Sequence, residues 1–246
     1  MKAVSKMLEV SHLTKNFGGL TAVGDVSLYV EKGEIVGLIG ANGAGKTTLF
    51  NMIAGAFAPS SGTITFNGQE IQGKPGHKIC HLGIGRTYQI VKPFSTLSVL
   101  DNTTVGALIA DSNVRRAKEK AREVVEMVGL GHRMDVTGAD LNLPELKRLE
   151  LARALATNPQ LLLLDEVMAG LNPSDSDKMI ELVRKINGTG VTIIIIEHVM
   201  KAIMRLSHRI YVLNQGRLIC QGTPQEVSND EAVIKSYFGE KRYAKN

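Results

Sequence analysis

The sequence predicts an α/β fold with a β-rich N-terminal subdomain and an inserted helical subdomain, on three observations. Apolar runs of strand length, among them EIVGLIG, QLLLLDE and VTIIIIEH, alternate with helical patterns. A glycine-rich stretch, GANGAGKT at 40–47, lies between one such strand and a helix. After Pro93 the pattern becomes helical, and alternation returns after Leu141.

Each element has a local reason. VSLYV and TITF are β-rich, and Asn67-Gly68 in FNGQ places two residues that accept positive φ at a hairpin turn. EIVGLIG is a short apolar strand that leads through the glycine-rich stretch into the helix KTTLFNMIAG, ended by Gly55. Gln89, in GRTYQ, ends a further strand. From Ser98 to about Gly131 the spacing is helical, with Ala117, Ala121, Val124, Val125 and Val128 on one face. Arg115, Arg116, Lys118, Lys120 and Arg122 crowd the start of that face's helix, as a partner-binding patch or a solvated surface. LKRLELARALA is a helix, and QLLLLDE, apolar throughout, is a strand buried on both sides. SDKMIELVRKING is a helix, and VTIIIIEH is a second buried strand closed by His198. IYVLNQGRLICQG is a hairpin, and TPQEVSND opens a last helix with Thr223 as N-cap and Pro224 at its first position. The expected boundaries are 1–92 for the β-rich subdomain and first part of the core, 93–142 for the helical insertion, 143–222 for the second part of the core, and 223–246 for a C-terminal helix and tail.

Composition excludes several classes. The 246 residues are 43% hydrophobic and 22% charged, ordinary globular values rather than fibrous or disordered ones. Cys80 and Cys220 form no CxxC and are too few for a disulfide framework, so reduced thiols in a cytosolic protein are expected. No run approaches the roughly 18 apolar residues of a membrane span, and MKAVSKMLEV lacks the apolar core of a signal peptide. A soluble chain is expected. The net charge of +5 suits a nucleic acid, an anionic membrane surface or a nucleotide, and equally an ordinary basic surface.

The chemistry begins at Gly40-Ala41-Asn42-Gly43-Ala44-Gly45-Lys46-Thr47, which fits G-x-x-x-x-G-K-[ST] between a strand and a helix. Without Cβ clashes, backbone N–H groups around Gly40, Asn42, Gly43, Ala44 and Gly45 can curl around phosphate oxygens. The helix start, Lys46 to Thr48, adds a partial positive charge. Lys46 reaches the β- and γ-phosphates of a nucleotide, and the Thr47 hydroxyl completes a Mg²⁺ shell. Asp165 leaves a buried strand and can hold Mg²⁺, through water if necessary. Glu166 beside it can orient or deprotonate an attacking water. His198 could donate to a γ-phosphate. The core is thus a P-loop core for a nucleotide and Mg²⁺.

The order of these motifs resembles the ATPase subunit of an ABC transporter over essentially the whole chain. LTKNFGGLTAVGDVSL, GIGRTYQ, LARALATNPQLLLLDE and AGLNP resemble the branched-chain amino acid importer group, within the hydrophobic and amide amino acid uptake systems. The resemblance implies a P-loop ATPase core with ATP as that nucleotide, in which Phe17 stacks on adenine and His198 is the switch histidine. It implies that Gln89 senses the γ-phosphate and Mg²⁺, and links them to the helical region that docks on membrane permease subunits. It also implies a second ATPase subunit, identical or paralogous, in a head-to-tail dimer, a solute-binding protein, no nucleic acid, and a peripheral place on the cytoplasmic face of a membrane.

LNLPELKRLE occupies the slot of that family's LSGGQ loop, or LSYGE in this group, with Asn142 in place of Ser, Pro144 in place of Gly, and Glu145 at the last position. The resemblance implies that this loop caps the γ-phosphate of ATP held by the other subunit. Pro144 has no N–H to give, although it suits a helix's first turn. Asn142 can offer side-chain N–H donors, so a weakened cap is expected. Asn172 stands where many members carry Asp. Two other readings are a soluble cassette ATPase acting on nucleic acid or ribosomes, and a nucleotide-binding switch with little hydrolysis. The single cassette and short insertion argue against the first, and Glu166 against the second.

Overall fold

The structure, a computed structural model, describes residues 6–238. The chain forms two compact units, residues 1–76 with 192–246, and residues 77–191. The first unit opens with β1 (Lys6–Phe17), β2 (Leu20–Glu31), β3 (Ile35–Ile39), α1 (Lys46–Ile53), β4 (Ser61–Phe66) and β5 (Gln69–Glu70). The second carries α2 (Gly76–His81), β6 (Ile84–Arg86), α3 (Val99–Ala110), α4 (Val114–Met127), α5 (Leu143–Ala156), β7 (Leu161–Asp165) and α6 (Pro173–Gly188). The chain then returns to the first unit with β8 (Thr192–Ile196), α7 (Met200–Leu206), β9 (Arg209–Asn214), β10 (Arg217–Gly222), α8 (Pro224–Asn229) and α9 (Glu231–Phe238).

In the first unit, β2, β1, β4 and β5 form an antiparallel sheet. Its β4–β5 hairpin turns on Asn67 and Gly68, with φ of 48° and 78°. In a separate sheet β3 lies parallel to both β8 and β9, and β10 folds back antiparallel on β9. Every residue of β3 and β8 is buried, and β3 is flanked by a parallel strand on each edge. The register Leu38↔Ile196 brings the ends of β3 and β8 to the same edge of the sheet.

In the second unit, β6 and β7 are parallel in the register Arg86↔Leu163. Helices α3, α4 and α5 meet through Ala107, Ala117 and Ala156. The apolar face of α4, including Ala121, Val124 and Val125, is buried. Its basic start is a solvated surface: Arg115, Arg116, Lys118 and Lys120 pair with Glu119, Asp111, Asp101 and Glu123 on exposed faces. Such pairs contribute about 0–1 kcal/mol each. Among the described residues no helix is long and apolar enough to cross a membrane.

Several local expectations need correction. Gln89 does not end a strand: β6 stops at Arg86, where its pairing with β7 ends at Leu163. His198 lies two residues beyond β8, in an exposed bend, since pairing with β3 ends at Ile196. The last helix is two helices, α8 and α9. Asp230 adopts an extended ψ of 124° between them, and its carboxylate caps α9 by accepting from the Val233 N–H at 2.9 Å. Helices α2 and α7 had no sequence signal, being six and seven residues long, too short to show a period.

Candidate functional site

The loop after β3 is shaped by glycine at two decisive places. A Cβ on Gly40 would collide with the Leu213 carbonyl, and one on Gly45 would sit 2.5 Å from the Ala22 carbonyl. Gly45 is also the N-cap of α1 at φ 100°, a left-handed conformation that other residues adopt at a cost. Ala44 N–H donates to the Ala41 carbonyl at 3.1 Å, and the Gly216 N–H pins Ala44 O at 3.1 Å. Asn42 and Gly43 are left exposed at the tip.

Lys46 is 6% exposed. Its ammonium donates to the Gly40 and Ala41 carbonyls at 2.7 and 3.0 Å, folded over the loop it would share with a phosphate. The start of α1 has no side-chain cap and no acidic residue in its first turn. Its N–H groups and dipole therefore face outward for an anion, with Thr47 exposed and Thr48 partly so. His198 follows β8 at the edge where this loop follows β3. Phe17, at the end of β1, is 47% exposed, and its ring meets Phe57 edge-on at 5.5 Å. The Lys15 ammonium lies 5.2 Å from the Phe17 centroid and 5.0 Å from that of Phe57.

In the second unit, the ends of β6 and β7 gather the carboxylates. Asp165 is 3% exposed, and its Oδ2 accepts from Arg86 Nη2 at 3.0 Å, while its N–H donates to Thr87 Oγ1 at 3.1 Å. A carboxylate this buried needs such partners to remain charged. Gln89 Nε2 donates to Glu166 Oε2 at 2.7 Å, joining the residues read as γ-phosphate sensor and base. Three side chains of α5 hold the segment that contains Gln89. Lys147 donates to Gln89 O at 3.0 Å, Glu150 accepts from the Tyr88 N–H at 3.3 Å, and Arg153 donates to Lys92 O at 3.0 Å. Burial pushes the Glu150 carboxyl above its ordinary pKa, against the lowering pull of Arg153, the Tyr88 N–H and Lys147.

The start of α5 is the opposite of the start of α1. Asn142 is its N-cap, and Asn142 Oδ1 accepts from the Glu145 N–H at 3.0 Å while Glu145 Oε2 accepts from the Asn142 N–H at 3.0 Å. Arg133 pairs with the Glu145 carboxylate at 3.1 Å. Pro144 brings no N–H. This reciprocal box occupies the main-chain N–H groups of Asn142 and Glu145 and leaves the Nδ2 of Asn142 outside the cap. Asn172 likewise caps α6, accepting from the Asp175 N–H at 2.9 Å.

Lys147 and Arg86 escaped the sequence reading, since their partners lie 19 to 79 positions away. The capping box had a signal, Asn142 followed three positions later by Glu145.

The chain was compared with known proteins. Residues 23–169 match the ABC transporter family model, and 217–242 match that of the branched-chain amino acid ATP-binding cassette transporter. The chain is 40% identical to the high-affinity branched-chain amino acid transport ATP-binding protein LivG of Salmonella typhimurium, over 95% of this chain and 98% of that one. It is equally similar, over the same shares, to BraF of Pseudomonas aeruginosa, which has the same description. It is 36% identical to the lipopolysaccharide export system ATP-binding protein LptB of Haemophilus influenzae, over 95% of this chain and 98% of that one. Among solved structures, a nucleotide-free ATP-binding cassette of an ABC transporter superposes with a TM-score of 0.87 at 30% identity, covering 96% of this chain and all of that one. A cassette in its ADP conformation gives the same TM-score and identity.

Proposed function

We infer function from one premise: the chain belongs to the ABC transporter family. It is an ATP-binding cassette, an ATPase coupled to transport. The solute we assign is a branched-chain amino acid or a related amide, supported by LivG and BraF and by the match at 217–242. The observation that carries the ATPase reading is the uncapped start of α1 beneath Lys46, a built anion site. Phosphates lie against Gly40 to Thr48, with adenine on Phe17. Glu166 activates the water, Gln89 senses the γ-phosphate, and His198 contributes a donor to it. Thr47, Gln89 and Asp165 offer oxygen donors alone, the set that suits Mg²⁺. Among the described residues no group of three or more His, Cys, Asp or Glu makes a metal cage. That fits an ion held by few side chains, with nucleotide oxygens and water completing its shell. Held there, the ion would supply positive charge to offset that of the phosphates.

The partners we assign are permease subunits, a second ATPase subunit and a solute-binding protein, which places the chain on the inner face of a membrane. The permease contact is the Gln89 to Ala110 segment, where Ile90, Phe94, Val105, Leu108 and Ile109 are exposed apolar residues. Cysteines introduced one at a time from Pro93 to Val99 are expected to cross-link to a permease loop. Cross-links confined to 209–222 would overturn this assignment.

With no N–H at Pro144, this chain is a poorer cap for ATP held by the other subunit. A lost charge-assisted hydrogen bond costs about 1.5–3 kcal/mol, and Asn142 Nδ2 with the helix dipole recovers part. The chain alone is therefore a weak ATPase. Asn142→Ser combined with Pro144→Gly is expected to raise its steady-state rate at saturating Mg·ATP by about 3- to 10-fold. Equal rates, with the wild type already turning over at about the median enzyme rate of roughly 10 per second, would show that the Asn/Pro loop substitutes fully.

A further inference from the structure

We propose that Lys147 is a positioning residue that holds the Glu166 carboxylate where it can act, a role that rests on the reading of Glu166 as the base. Lys147 lies one turn into α5 and is 4% exposed. Its ammonium donates to two main-chain carbonyls, Gln89 O and Glu166 O, each at 3.0 Å. A buried ammonium is costly unless its donors are matched, and these carbonyls match two of the three.

Glu166 needs this hold. It is a non-glycine residue at φ 51°, a conformation rare for its type, immediately after the end of β7. Its carbonyl faces Lys147, and its carboxylate accepts from Gln89 Nε2 at 2.7 Å. One ammonium thus grips the backbone of both members of the Gln89–Glu166 pair and sets the distance between them. The cation also joins the pair to the helix whose first turn is the Asn142–Glu145 loop, so a displacement of that loop along α5 is felt at the carboxylate.

The neighbouring contacts separate this role from simple anchoring. The Gln89 segment is also held by Glu150 at the Tyr88 N–H and by Arg153 at Lys92 O, with the Arg153 guanidinium 5.0 Å from the Phe94 ring centroid. Removing Lys147 leaves those two anchors in place; of these three α5 side chains Lys147 is the one that reaches Glu166 O, which also accepts from the Ala169 N–H at 3.2 Å.

The test uses the full chain with its partner subunits bound. Lys147→Met is expected to lower kcat by about 10- to 100-fold, because an ångström of misplacement can cost about 10² in rate. ATP affinity, read by direct titration, stays within about twofold. Lys147→Arg, which keeps a cation able to reach both carbonyls, recovers most of kcat. Should Lys147→Met melt at a much lower temperature, Lys147→Gln, which keeps an amide donor, reads the same split between rate and affinity. The decisive arm is a double-mutant cycle: in a Glu166→Gln background, Lys147→Met has no further effect. Wild-type kcat in Lys147→Met, equal losses of rate and affinity, or an undiminished extra loss in the Glu166→Gln background would each overturn the proposal. Wild-type turnover in Glu166→Gln itself would instead overturn the reading of Glu166 as the base.

Discussion

Lys46→Ala is expected to lower ATP affinity by about 10²- to 10⁴-fold and with it to abolish transport. Charge-assisted hydrogen bonds contribute about 1.5–3 kcal/mol each, and each 1.4 kcal/mol is tenfold in affinity. The estimate takes two such bonds from the ammonium to phosphate oxygens. In the structure it donates to Gly40 O and Ala41 O, main-chain carbonyls of the loop itself. Exchanging them for phosphate oxygens exchanges dipoles for charges at a buried cation. Alanine removes the cation but not the glycines or the helix start, so the loop keeps its form. Nucleotide affinity left unchanged in a direct titration would count against the P-loop role.

The second large effect falls on rate rather than binding. Glu166→Gln keeps the side chain's size and can still pair with Gln89, but removes the group that takes the water's proton. General-base catalysis contributes about 10²–10⁴ in rate, so kcat should fall by that order while ATP affinity holds. An ATP-bound dimer more stable than that of the wild type should follow, visible by gel filtration in Mg·ATP. Hydrolysis at the wild-type rate would mean that another group activates the water.

The fold was legible wherever short-range pattern carried it. The buried strands were readable because Ile35–Ile39, Leu161–Asp165 and Thr192–Ile196 are nearly all apolar. Gly40 to Thr47 was readable because phosphate binding concentrates its requirements in eight consecutive residues. Asp165 and Glu166 stood out as the first charges after a strand of leucines. What escaped depends on distant residues. Gln89 and His198 are expected at strand ends, and the strands stop two or three residues earlier, where their ladders end at Arg86↔Leu163 and Leu38↔Ile196. Arg86 reads as one more basic residue until β6 pairs with β7 and sets it against Asp165. Lys147 reads as part of a basic helix start. The capping role of Asn142 Oδ1 is legible in the spacing to Glu145, and it leaves Nδ2, the donor expected to face a phosphate, outside the cap.

The most direct test of the central claim, that hydrolysis at Glu166 drives uptake, is leucine accumulation in proteoliposomes. These carry the permeases and both ATPase subunits, with the solute-binding protein outside and Mg·ATP inside, and wild type is compared with Glu166→Gln in this chain. The expected result is uptake that keeps pace with phosphate release in the wild type, and collapse of both in the variant although it still binds ATP. Leucine uptake at the wild-type rate with Glu166→Gln would contradict it.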